Sequence, residues 1–135
     1  MIKKIVLNKK VSEVIFGGAI GVDSAALLWA LYYKKTHSHK TFPQLTVILP
    51  CTLDEQPSDT HEITQSADTV IELRCPITSK NGFQAYRDRN TEMITRADRL
   101  VAFHNGNSKS GTRMAINIAG VQKKPHEIID IEGKN

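Results

Sequence analysis

The run Val14-Ile15-Phe16-Gly17-Gly18-Ala19-Ile20-Gly21-Val22-Asp23-Ser24-Ala25-Ala26-Leu27 constrains the fold more than any other stretch. A short β-branched apolar run ends in closely spaced glycines and an Ala/Leu-rich segment follows at once, so the pattern reads as buried strand, tight turn and helix. Glycine permits positive φ and lets a ligand approach the backbone, while the first N–H groups of a helix have no partner within it. Such a turn suits an anion. The same glycines also serve where strand and helix merely pack closely, and a lone GGxxG does not separate the two uses.

A second turn of this kind occurs near residue 110. Arg99-Leu100-Val101-Ala102-Phe103 has buried-strand character and runs into His104-Asn105-Gly106-Asn107-Ser108-Lys109-Ser110-Gly111-Thr112, which opens a helix from Thr112 to Val121. Strand, Gly/Ser loop and helix N-terminus recur. Gly106 and Gly111 approach the P-loop spacing, but Thr112 occupies the lysine position and no acidic strand end of Walker-B type stands out. A Walker-type NTPase is therefore excluded.

Between these turns the chain alternates. Strands are predicted at Ser12 to Phe16, Leu45 to Leu49, Val70 to Leu73 and Ile128 to Ile131, and long helices at Val22 to Lys35 and Ser79 to Arg96. A short helix is predicted from Ser58 to Ala67, with Ser58 as its cap. The segment from Ile2 to Leu7 fits either a helix or a strand. Ala26, Trp29, Ala30 and Tyr33 form the expected apolar face of the first long helix, where Asp23 and Ser24 are placed to cap. Phe83, Tyr86, Asn90, Met93, Ile94 and Ala97 form that of the second. Asn90 interrupts its stripe, and a buried amide needs a backbone or ligand partner. Arg87 and Arg89 flank it, on either a ligand-facing or a solvated basic face. Asp54 and Glu55, just past the strand ending at Leu49, either reach a ligand or belong to a solvated loop.

Alternation of this kind predicts an α/β chain with a mostly parallel sheet, in which both glycine loops emerge at the carboxyl edge and converge on one ligand. The length of 135 residues suits one domain, 1–135. Cys51 and Cys75 form no CxxC pattern and the five histidines have no ligand spacing, so neither a metal nor a resident cofactor is expected. The net charge of +4 favours an anionic partner without separating nucleotide from nucleic acid. No apolar run approaches a membrane span and the N-terminus lacks a signal-peptide pattern, so a cytoplasmic location is expected. Self-association is expected too, because the apolar helix surface around Trp29 and Tyr33 exceeds what a small sheet covers.

Gly17-Gly18-Ala19-Ile20-Gly21-Val22-Asp23, Arg87-Asp88-Arg89-Asn90-Thr91-Glu92-Met93, Ala97-Asp98-Arg99-Leu100-Val101-Ala102-Phe103 and Ser108-Lys109-Ser110-Gly111-Thr112 together resemble the successive motifs of the SLOG superfamily. That group unites SMF/DprA DNA-processing proteins, LOG-type phosphoribohydrolases and small YspA/YpsA-related proteins, which this chain resembles most. The resemblance spans roughly residues 11 to 120 and implies a compact Rossmann-like three-layer sandwich binding a nucleotide or nucleotide-derived ligand, such as an NAD- or ADP-ribose-like compound. Against the full family pattern the first strand is missing, so that sheet edge is either absent or replaced by the N-terminal segment. Carried over by residue, the resemblance implies Gly17, Gly18, Gly21, Asp23, Arg89, Asn90, Ser110, Gly111 and Thr112; with Ala19, Ser24, Arg87 and Ser108 from the same stretches these make the expected ligand site, and no catalytic residue is assigned.

The departures bear on reaction chemistry. LOG-type enzymes carry PGGxGTxxE, whose Glu stabilises cationic charge on the sugar, and Ala115 stands at that position here. Alanine neither stabilises such charge nor moves a proton, so an N-glycosidic hydrolase acting on a nucleotide would need Asp23, Asp54 or Glu55 instead. The DNA-processing branch implies single-stranded nucleic-acid binding as the alternative. Only 6% of the residues are aromatic, however, and they do not interleave with basic positions for base stacking.

Overall fold

Leu45-Thr46-Val47-Ile48-Leu49 is buried along its whole length, which only a strand covered on both faces permits. In the computed structural model it forms the middle strand β2 (Gln44–Leu49), between β1 (Glu13–Phe16) and β3 (Thr69–Glu72). Residues 4–5, 10–17, 22–37, 42–56, 58–75, 82–104 and 111–130 are described, with the backbone alone described for 22, 23, 83, 103, 104, 111, 112 and 128–130. Both pairings are parallel, with Val14 opposite Leu45 and Val47 opposite Val70. The N-terminal Lys4 and Ile5 are helical.

The chain divides into two units, Met1–Arg74 and Cys75–Asn135. In the first, β1 leads through α1 (Val22–Thr36) to β2, then through 3-10 turns at Leu53–Glu55 and Ser58–Thr60 and the short α2 (His61–Gln65) to β3. Right-handed crossovers that advance along a sheet in one direction place their helices on the same face. Accordingly Leu45, Val47 and Leu49 pack with Ala26, Leu27 and Ala30 of α1, and Ile63 and Ala67 join the same cluster. Of the predicted α1 face, Ala26 and Ala30 are buried and Tyr33 packs against the core, but Trp29 is corrected by the structure: it is 53% exposed, and Leu27 takes its place in the buried stripe. The predicted helix from Ser58 begins as a 3-10 turn and becomes α-helical only at His61.

Asp68 ties this unit together at the base of the sheet. Its Oδ2 accepts from the Leu45 amide at 2.8 Å, its Oδ1 meets Lys34 Nζ, and its own amide donates to the Leu45 carbonyl at 2.9 Å. Partial burial raises the carboxyl pKa, but the Lys34 hydrogen bond, the Leu45 amide and the Lys34 charge together outweigh it and hold the group below the ordinary aspartate value. A carboxylate with a depressed folded pKa stabilises above its unfolded pKa, and that contribution is lost as pH falls through the folded value. Acid melts of Asp68→Asn are therefore expected to be flatter below about pH 4 than those of the wild type. At pH 7, Asp68→Ala is expected to cost about 1–2 kcal/mol, read by urea unfolding.

The second unit runs α3 (Gly82–Arg96), β4 (Leu100–His104), α4 (Gly111–Val121) and β5 (His126–Asp130), with β4 and β5 paired in parallel. α4 closes in a Schellman arrangement: the Lys124 amide donates to the Ala119 carbonyl at 2.9 Å and the Lys123 amide to the Gly120 carbonyl at 3.2 Å. Lys123 holds the left-handed position at φ 58°, where glycine is the common residue. Lys123→Gly is expected to raise stability by about 0.5–1 kcal/mol in chemical denaturation, since relief of left-handed strain exceeds glycine's entropy cost. The same turn caps α3, because Lys124 Nζ donates to the Ala97 carbonyl at 2.7 Å. Chain order and parallel pairing make the protein α/β and Rossmann-like, with Gly17 and Gly111 each at a strand-to-helix connection.

Candidate functional site

Helix α3 carries a cation on its buried face. Ala85, Arg89, Asn90 and Ile94 form its buried face, and Arg89 is only 8% exposed. Asn90 and Ile94 are buried as expected, whereas Tyr86, expected on the same face, is 42% exposed. An arginine withdrawn from water to this degree must exchange hydration for specific partners. Its Nε donates to Asn90 Oδ1 at 2.8 Å, and its Cζ lies 5.6 Å from the centre of the Tyr86 ring. Asn90 Nδ2 in turn donates to Met114 Sδ at 3.6 Å. The amide thus has side-chain partners in Arg89 and Met114, beside the backbone or ligand partner that the sequence suggested.

This chain of contacts links the middle of α3 to the first turns of α4, which begins at Gly111. Guanidinium orientation is fixed from two sides, by the Asn90 oxygen and by the Tyr86 ring. Charge, planarity and fixed direction are what a bidentate contact with a phosphate or carboxylate requires. Arg87 is exposed, and its carbonyl accepts from Thr91 Oγ1 at 2.8 Å. Gly111 and Thr112 open α4. Ser108 and Ser110 lie outside the described residues.

In the first unit, Phe16 ends β1 at 5% exposure and Gly17 is buried directly after it. α1 starts at Val22, so Asp23 lies in its first turn, and Ser24 is half-buried. Gly18, Ala19 and Gly21 lie outside the described residues. Strand and helix thus stand at the two ends of the glycine turn as expected.

The segment past β2 is held by carboxylates. Glu55 Oε1 accepts from the Thr52 amide at 3.0 Å and from Thr52 Oγ1 at 2.9 Å, and the amide, followed by the hydroxyl, holds its pKa below the ordinary value. Glu72 Oε2 accepts from the Leu53 amide at 2.6 Å, and Glu72 Oε1 receives Arg74 at 3.2 Å. Sequence reading did not single out Glu72; its partner is 19 residues away and no local pattern marks it. Asp54 is exposed. An ionised, hydrogen-bonded Glu55 is poorly suited to donate a proton.

Among the described residues no three His, Cys, Asp or Glu side chains group to hold a metal ion, and no helix is long and apolar enough to cross a membrane. No protein-family model matches the sequence, and no curated protein matches it. Among solved structures, the chain is similar to the crystal structure of a candidate molybdenum carrier protein from Syntrophus aciditrophicus SB, with a TM-score of 0.61 and 20% sequence identity. The match covers 93% of this chain and 66% of that one, just under two thirds of its length. At this identity the likeness is one of fold, the Rossmann-like α/β class that the sequence pattern implied.

Proposed function

We propose that residues 1–135 form one SLOG-type domain of the small YspA/YpsA-related kind, working in the cytoplasm, that binds a nucleotide or nucleotide-derived ligand such as an NAD- or ADP-ribose-like compound. The observation that carries this reading is the buried Arg89–Asn90 pair, oriented by Tyr86 and joined to Met114 at the start of α4. A guanidinium held in one orientation suits a planar, bidentate contact with a phosphate ester. Each unit has its own glycine-containing strand-to-helix connection, of a kind that would suit an anion in the same way. Binding rather than turnover is favoured because Ala115 occupies the position of the LOG-type glutamate and Glu55 is engaged by Thr52.

A second reading draws on the fold likeness. Molybdate is a tetrahedral dianion like phosphate, and the name of the similar structure places molybdenum with that protein. Arginine and backbone N–H donors would accept either ion.

Calorimetry decides between the readings. Titrating the protein with AMP, ADP, ADP-ribose, NAD, molybdate and a short single-stranded oligonucleotide is expected to give saturable binding of at least one nucleotide, abolished in Gly18→Val. Salt dependence should be shallow for a mononucleotide, whereas a steep fall with added salt for the oligonucleotide marks the nucleic-acid alternative. Saturation by molybdate alone supports the second reading, and nucleotide binding unchanged in Gly18→Val rules out the glycine turn as the site.

A further inference from the structure

The outer face of α1 carries an apolar stripe that the core does not use. Leu28, Trp29 and Tyr32 are 54%, 53% and 52% exposed, at the spacing that places them side by side, and exposed Ala25 extends the row by one turn. The rings of Trp29 and Tyr32 meet edge to face at 5.7 Å and so form one continuous surface. Residues 24–33 contain no charged side chain. We propose that this stripe is a self-association surface, on which a second copy of the chain packs its own α1 antiparallel about a two-fold axis near Leu28 and Trp29.

Three features favour a second copy as the occupant. First, the row is self-complementary in size: inverting it about its middle sets the small Ala25 of one copy opposite the large Tyr32 of the other. Second, inversion puts the exposed Lys35 of each helix beside the first turn of its partner, where Asp23 lies, while the two Lys35 positions stand roughly 20 Å apart, beyond the reach of mutual repulsion at physiological salt. Third, the area suffices: half-uncovered side chains of this size present roughly 100–150 Å² each, so two copies with their flanking positions bury on the order of 1,000 Å². That is the lower bound for a specific interface, and a dissociation constant in the tens of micromolar fits it.

Trp29 is the chain's single tryptophan, so its emission reports this face alone. Sedimentation equilibrium and tryptophan fluorescence across about 1–500 µM protein are expected to show the mass rising from one chain toward two while Trp29 emission shifts to the blue over the same range. Leu28→Glu and Tyr32→Glu, both at exposed positions, should move the association midpoint at least about tenfold upward with unchanged circular dichroism. A single-chain mass throughout, association without a change in Trp29 emission, or a midpoint that neither substitution moves would each overturn the proposal.

Discussion

Leu27→Ala is expected to destabilise the protein by about 3 kcal/mol, while Leu28→Ala, one residue along the same helix, is expected to cost under about 0.5 kcal/mol. Leu27 is 2% exposed and packs among Phe16, Leu45, Val47 and Leu49, where a lost isobutyl group leaves a cavity between helix and sheet. Both the transfer free energy of the missing carbons and the unfilled volume count against the variant. The parallel strand beneath is covered on both faces and closes such a gap poorly. Leu28 is 54% exposed and loses little on truncation. Urea unfolding of the two variants side by side measures the contrast, and equal losses would mean that α1 presents a different face to the sheet.

That contrast also marks where sequence reading stopped. The bounds of β2 and α1 were legible because Pro50 closes a short run rich in β-branched residues and the closely spaced glycines precede the Ala/Leu-rich segment from Val22. On α1 the choice between Trp29 and Leu27 for the core was not legible. From Ala25 to Tyr33 every residue is apolar or aromatic, so the helical period fits several faces equally and Trp29 looked as good a core residue as Leu27. In α3 the difficulty was reversed: Arg89 lies on the buried face, and polarity patterning assigns a guanidinium to solvent by default. Asn90 could be singled out because an amide inside an apolar stripe demands a partner, but its contact with Met114, 24 residues on, is a tertiary fact. Asp68 escaped notice for the same reason, since its clamp on Leu45 spans 23 residues. Lys123 broke a useful rule, because a helix stop there lacks the glycine that usually announces it.

Arg89→Lys is expected to weaken binding of a phosphate-bearing ligand roughly 10- to 100-fold while leaving the fold within about 1 kcal/mol of the wild type. The substitution keeps the positive charge but removes the Nε donor that Asn90 Oδ1 accepts at 2.8 Å, and with it the planar fork aimed between Asn90 and the Tyr86 ring. A flexible ammonium in that setting forms at most point contacts and recovers part of its lost hydration only by leaving the site. If Arg89 acted merely through the net charge of +4, the conservative change would leave affinity untouched. Arg99→Lys supplies the comparison: that side chain is 60% exposed, pairs with Glu127 at 3.0 Å, and is expected to change affinity by less than about twofold. Calorimetry on both variants, with thermal melts to follow the fold, separates oriented recognition from diffuse attraction. Equal, small effects at the two positions would reduce Arg89 to a structural cation that braces α3 against α4.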